Sequence, residues 1–468
     1  MSSLLNSETA AVSIFNAVAQ RIPSRIALAG KLLTEHRQST IHELTVENIL
    51  HGLRGTPCLL WEISETSPLG IKYHGKTVTE LNALLPKWPM STQISPEAML
   101  WFLYTAEIPT PTQLKHFSND LISRAELPLD AQTFCDGLST DIPADTQIIM
   151  TLSFLSRYSK FTAAVTKGAH KNDLWKYVLE DALDITARFP MILSRIYANV
   201  HGLPHQPWSI DLDLAANYAR HIGREHDTDY TEFTRMCWSL YMDHGTSVSA
   251  HAMRLVSSAW TDPYLTVASG YIAGTGPLHA KAIGDSVMFN LALISALGPN
   301  ATKEDIATHV GQHLLGGKIV PGFGHALLRV PDARLVALTN FLETHPSSDP
   351  KVDDFLNLIQ SINSVVPPLL REKVQGMRNP HPNADALSGS ILHAYGVPVD
   401  FMLSFFACSR APGFLVQQVW DRALGLSMER PLSLTMDELL AKAETKTANA
   451  TTNGVNGHTN GVATANAH

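Results

Sequence analysis

Apolar residues recur along most of this chain at helical spacing, and strand-like alternation is rare. Ser286 to Leu297 is apolar nearly all round, which predicts a helix buried on every side. Between Gly413 and Gly425, Leu415, Val416, Val419 and Ala423 repeat at helical spacing, while Gln417, Gln418, Asp421 and Arg422 take the other face. That pattern predicts an amphipathic helix started by Pro412, whose missing N–H does no harm in a first turn. Extended pieces are predicted only at Leu59 to Ile63 and Gly70 to Gly75. The expected fold class is all-α, with a minor β-hairpin near the N-terminus. Proline and glycine cluster at Gly298-Pro299, Pro321 to Gly324, Pro367-Pro368 and Pro380 to Pro382, which mark joints between helices. From about Thr445 onward there is no aromatic or leucine anchor, so a disordered tail is expected.

A chain of 468 residues is long for one core, and two domains are the default expectation. Hydrophobic content of 45% with 17% charged residues describes a globular protein with ample core. A net charge of −8 argues against a nucleic-acid partner. Cys58, Cys135, Cys237 and Cys408 lie far apart, without metal or redox spacing, and are expected as small core hydrophobes in a reducing compartment. Met1 to Ala11 lacks both the apolar run of a secretory signal and the arginines of a transit peptide, and Asn466-Ala467-His468 is not a peroxisomal tripeptide. With no run of about eighteen apolar residues, no membrane span is expected. These features together predict a cytoplasmic protein.

The candidate chemistry sits in turns. His279 closes Gly276-Pro277-Leu278-His279, His325 closes Pro321-Gly322-Phe323-Gly324-His325, and Asp385 follows Pro382-Asn383-Ala384. Glycine and proline fix unusual backbone angles and so aim a side chain into a cleft. Two histidines and a carboxylate so held can abstract a proton and polarise a carbonyl without a metal or organic cofactor. Taken singly, each histidine is as readily structural, and Asp385 as readily a helix cap. Arg329, Arg334, Arg410 and Arg430 suggest recognition of a small polycarboxylate, because guanidinium groups bind carboxylates bidentately. Other motifs carry less. His309 and His313 stand four apart without the glutamate of a zinc site and are expected as surface residues; no metal ligand is assigned. Gly274-Thr275-Gly276 completes no dinucleotide fingerprint, and no nucleophile elbow is present.

The chain resembles the citrate synthases of the helical, homodimeric type from about Ser13 to Leu440. The likeness rests on Met242-Asp243-His244, SSAWTDPYLTVASGYIAGTGPLH (257–279), VPGFGHALLRVPDAR (320–334), NPHPNADALSG (379–389), Ser409-Arg410-Ala411 and WDRALGLSMERP (420–431), all in order. It implies a two-domain helical fold: a large domain from 1–280 and 396–444, a small domain from 281–395, and the tail 445–468. It also implies an acyltransferase that condenses an acyl thioester with oxaloacetate and then hydrolyses the thioester. Asp385 would take the α-proton, His279 would hydrogen-bond the thioester oxygen, and His325 would polarise the ketone. His244, Arg334, Arg410 and Arg430 would bind oxaloacetate, Arg430 acting across a homodimer. Arg54, Arg329 and Arg378, with Lys171 a weaker candidate, would contact coenzyme A, a substrate rather than a cofactor. An α-proton of a thioester is too weakly acidic for a free carboxylate near pKa 4, so the base needs simultaneous stabilisation of the oxyanion.

The chain departs from the family beside these residues. After His244 come Gly245-Thr246-Ser247, without the usual acidic residue and asparagine. After His279 come Ala280-Lys281-Ala282-Ile283-Gly284-Asp285 in place of a glycine and its usual followers, and His381 replaces a tryptophan. Few substitutions suffice to change an acyl preference. The expectation is therefore an alkylcitrate synthase of secondary metabolism that takes an acyl chain longer than acetyl. The alternatives are an ordinary citrate or 2-methylcitrate synthase, and a non-catalytic paralogue that binds acyl-CoA or a dicarboxylate. Retention of Asp385 speaks against the last.

Overall fold

The computed structural model describes residues 13–324, 328–347 and 349–445. The fold is all-α and two-domain, with one small sheet. Two long helices, Leu174–His201 and Val399–Ala423, pack along each other at the centre. Around them lie Pro96–Thr105, buried at all ten positions, and the neighbouring pair Val248–Ser258 and Pro263–Gly274. Sequence sets these starts: Ser95 and Asp262 accept the first free N–H groups, and Pro96 and Pro263 occupy the first turn.

Helices Ala282–Leu297, Lys303–Leu315, Ala333–Thr344, Pro350–Lys373 and Asp385–Ala394 pack chiefly on one another. The last meets Ala282–Leu297 at a close crossing. A Cβ on Gly389 would lie 2.7 Å from Val287 and 3.0 Å from Ile283. Both helices also touch Val399–Ala423, which joins this group to the rest.

The sheet has three antiparallel strands, β1 Ser64–Ser67, β2 Gly70–Tyr73 and β3 Lys76–Thr77, with Ser64 opposite Tyr73 and Lys72 opposite Thr77. Its first strand is not the predicted Leu59 to Ile63. There the Glu62 N–H is taken by the Gln417 side chain at 2.7 Å, and its carboxylate pairs with Arg25.

Other expectations also need correction. The Pro412 helix begins at Val399, and Pro412 lies inside it. Its polar face is buried too, because partners enclose it. Gln417 Nε2 donates to Asp421 Oδ1 at 2.8 Å, Arg254 pairs with Asp421, and Arg422 donates to the Ser257 carbonyl. Pro367 and Pro368 lie within Pro350–Lys373 rather than at a joint. Helix Ala282–Leu297 is buried on one face only, with Met288 exposed. Cys58 is exposed, while the other cysteines are buried. Val399–Ala423 has the length and mean hydropathy of a membrane span, but most of its apolar window is enclosed by protein. The predicted tail beyond Thr445 lies outside the described residues.

Candidate active site

Four loops meet at the site. The turn Gly276–His279 follows helix Pro263–Gly274. The His279 ring nitrogen Nε2 accepts from the Ser249 backbone N–H at 3.3 Å and lies 2.8 Å from Ser249 Oγ. A backbone N–H can only donate, so Nε2 carries the lone pair and the ring proton is assigned to Nδ1. Burial, then the charge of Arg410, push the His279 pKa down, which keeps the ring neutral. His279 is thus a neutral donor.

Asp385 opens helix Asp385–Ala394, one residue past the N-cap position, and its N–H bonds to Asn383 Oδ1 at 2.9 Å. Burial raises its pKa, Asp332 adds to the rise, and the charges of Arg334 and Arg410 oppose it. The net result is a stronger base than a free carboxylate.

The segment before Asp385 is stitched to the glycine turn that leads to His325. Asn383 N donates to Gly322 O at 2.9 Å, Asn383 Nδ2 to Gly324 O at 3.1 Å, and Gly324 N to His381 O at 3.0 Å. Gly322 has φ +82°, and a Cβ there would lie 2.8 Å from Ala386 Cα. Only glycine fits this approach. His325 itself lies outside the described residues.

Arg334 is buried and held by Asp332, Nε to Oδ1 at 3.0 Å and Nη2 to Oδ2 at 2.7 Å, with its guanidinium 5.0 Å from the Tyr241 ring centre. Arg410, on the central helix, donates Nε to the Tyr241 carbonyl at 2.6 Å. Burial and the nearby Arg334 lower its pKa, so it is a cation short of a counter-charge. Two guanidinium groups beside one base and one neutral donor suit a dicarboxylate and the enolate that attacks it.

His244 follows Asp243, on whose carboxyl the Arg410 charge acts, and its Nδ1 lies 3.1 Å from Thr246 Oγ1. Its turn rests on Trp61, whose indole Nε1 donates to Asp243 Oδ2 at 2.9 Å. A Cβ at Gly245 would fall 2.5 Å from that indole, which explains why no acidic residue follows His244. Gly413 allows the same turn to meet the central helix, since a Cβ there would strike the Met242 carbonyl at 2.2 Å.

The remaining candidates lie at the surface. Arg430, Arg54, Arg378 and Lys171 are exposed. Arg329 is exposed too, its N–H on the Pro68 carbonyl at 2.9 Å and its Nη1 on the Leu328 carbonyl at 2.8 Å. His313 bonds Ile319 O at 2.8 Å from helix Lys303–Leu315. Sequence reasoning passed over Ser249, Asp332 and Tyr241. The Tyr241 hydroxyl is fully buried near Ser388, and the charges of Asp385 and Arg334 act on it. Its place three residues before His244 was the available signal.

The family described as "Citrate synthase, C-terminal domain" matches residues 52–432. The chain belongs to the citrate synthase family. A mitochondrial 2-methylcitrate synthase of Fusarium solani is 34% identical over 91% of each chain. A peroxisomal citrate synthase of Saccharomyces cerevisiae is 36% identical, covering 89% of this chain and 91% of its own. The solved citrate synthase of Pyrobaculum aerophilum, 22% identical, superposes with a TM-score of 0.70 over 82% of this chain and 92% of its own, which supports the fold. These names correct the cytoplasmic expectation. Relatives spanning nine-tenths of this citrate synthase family chain are mitochondrial or peroxisomal, and residues 1–11 and 466–468, on which the expectation rested, lie outside the described residues.

Proposed function

We propose that this citrate synthase family protein condenses a short acyl-CoA, acetyl or propionyl, with oxaloacetate and hydrolyses the resulting thioester. The observation that carries this is that Asp385, a carboxylate made more basic by burial, and His279, a neutral ring fixed by Ser249, both feel the buried charge of Arg410, with Arg334 also acting on Asp385. Asp385 takes the α-proton while His279 Nδ1–H stabilises the thioester oxyanion, and the arginines hold the carboxylates of the acceptor. His325 would polarise the acceptor ketone, with His244 and a partner subunit's Arg430 completing its binding. No step calls for a metal or an organic cofactor.

The names of the 2-methylcitrate synthase relatives favour the short-chain reading over the longer-chain one. The departures after His279 support a longer chain only weakly, because Ile283 packs under Gly389 and Lys281 faces solvent. Homodimer formation fits the apolar side chains exposed near the start of the described chain and after the central helix, among them Leu32, Leu33, Ile41, Leu432 and Met436. Thiol release from acyl-CoAs of about two to ten carbons with oxaloacetate tests the proposal. Turnover confined to acetyl and propionyl donors is expected. Preference for hexanoyl or longer would reinstate the alkylcitrate reading, and oxaloacetate binding without thiol release would favour a non-catalytic paralogue.

A further inference from the structure

We propose that Asp332 is a positioning residue for proton abstraction, one carboxylate that locks Arg334 and ties it to the first turn of the Asp385 helix. This deepens the proposed condensation and rests on it. Asp332 is buried at the N-cap of helix Ala333–Thr344, where Oδ1 accepts from the Arg334 N–H at 2.9 Å. The same carboxylate grips the Arg334 side chain through both oxygens, and Oδ2 also accepts from the Ala384 N–H at 3.3 Å. Ala384 is the N-cap of the Asp385 helix. A group that only capped its own helix would need one oxygen and no guanidinium. Asp332 uses both oxygens on three partners from two chain segments.

Two consequences follow. Arg334 gives Nε–H and one Nη2–H to Asp332, so Nη1 and the other Nη2–H are what remain for a substrate carboxylate. The acceptor site is therefore formed before substrate arrives. Asp332 also sets the charge around the base. The groups that face Asp385 are Arg334 on helix Ala333–Thr344, Arg410 on the central helix, Tyr241 at the end of helix Thr228–Leu240, and Asp332. Burial works to raise the Asp332 pKa, but the Arg334 charge and hydrogen bonds outweigh it and hold it at about 2. Asp332 is thus anionic throughout the working range, and its charge keeps Asp385 basic against two cations.

The test is Asp332→Asn in the full chain, since asparagine caps as well as aspartate and keeps the shape. The acid limb of kcat/KM for the acyl thioester should move down by about one pH unit, the size expected when a unit charge is removed close to an acid. Plateau kcat should fall roughly three- to fivefold as the base weakens. Asp332→Glu, which keeps the charge, should hold the limb in place even if kcat drops. An unmoved limb in Asp332→Asn with turnover merely reduced would overturn the proposal and leave a structural cap. A limb displaced equally by both variants would overturn it too. Absence of thiol release by the unaltered protein would instead sink the condensation itself.

Discussion

Ser249→Ala isolates the contribution of one hydrogen bond to the proposed enolate step. Ser249 stands in the first turn of Val248–Ser258, whose N-cap is Ser247, so alanine there should leave the helix intact. The substitution removes the hydroxyl 2.8 Å from His279 Nε2 and leaves the longer backbone contact of 3.3 Å. A neutral hydrogen bond of this kind is worth about 1 kcal/mol net, which corresponds to roughly a fivefold fall in kcat. The ceiling is set by removal of His279 altogether, about 100- to 1000-fold if it is the oxyanion donor. Because the Ser249 hydroxyl bonds to the ring proposed to serve the acyl donor, KM for oxaloacetate should stay unchanged. Steady-state thiol release at saturating oxaloacetate measures the first effect, and variation of oxaloacetate the second. An unchanged kcat, or a loss confined to oxaloacetate KM, would refute the assignment of His279 as the thioester donor.

Three further outcomes are expected. Asp385 must be ionised, and its pKa is raised by burial, so kcat/KM should fall as pH drops through a value above the ordinary carboxylate range near 4. His279 must be neutral, and its pKa is lowered by burial and Arg410, so it should not limit activity at neutral pH. A pH–rate profile with no acid limb above about 4 would contradict this. Gly322→Ala forces a left-handed backbone angle, costing about 1–2 kcal/mol, and drives a methyl into Ala386. It should depress kcat far more than Tm; wild-type kcat would show that the turn tolerates a side chain. Trp61→Phe deletes the indole N–H on Asp243, whose buried carboxylate is already pushed up to about 6. Loss of that charge-assisted bond should loosen the His244 turn and raise oxaloacetate KM about tenfold, and an unchanged KM would count against His244 as a ligand.

Much of the site was legible because its side chains sit in turns with distinctive composition. Gly276-Pro277 and Pro382-Asn383 mark turns in one dimension, and His279 and Asp385 could be picked out from them. Ser249 and Asp332 could not, since a serine or aspartate at a helix start reads as a cap whatever else it holds. Burial misled the helix boundaries in the same way. Gln417, Gln418, Asp421 and Arg422 look like a wet face until Glu62, Arg254 and Ser257 supply partners from distant segments. Pairing across a fold leaves no period in the sequence.

The central helix Val399–Ala423 carries Arg410 through the most enclosed part of the molecule. A binding group rooted there has little freedom to drift, because any shift must carry the surrounding helices with it. Under the proposed function, substitutions that alter the substrate without moving the core are therefore open at less enclosed positions such as Lys281 and His381. In that proposed reaction the scaffold itself would fix the keto-acid half, and the acyl half would be the one open to change.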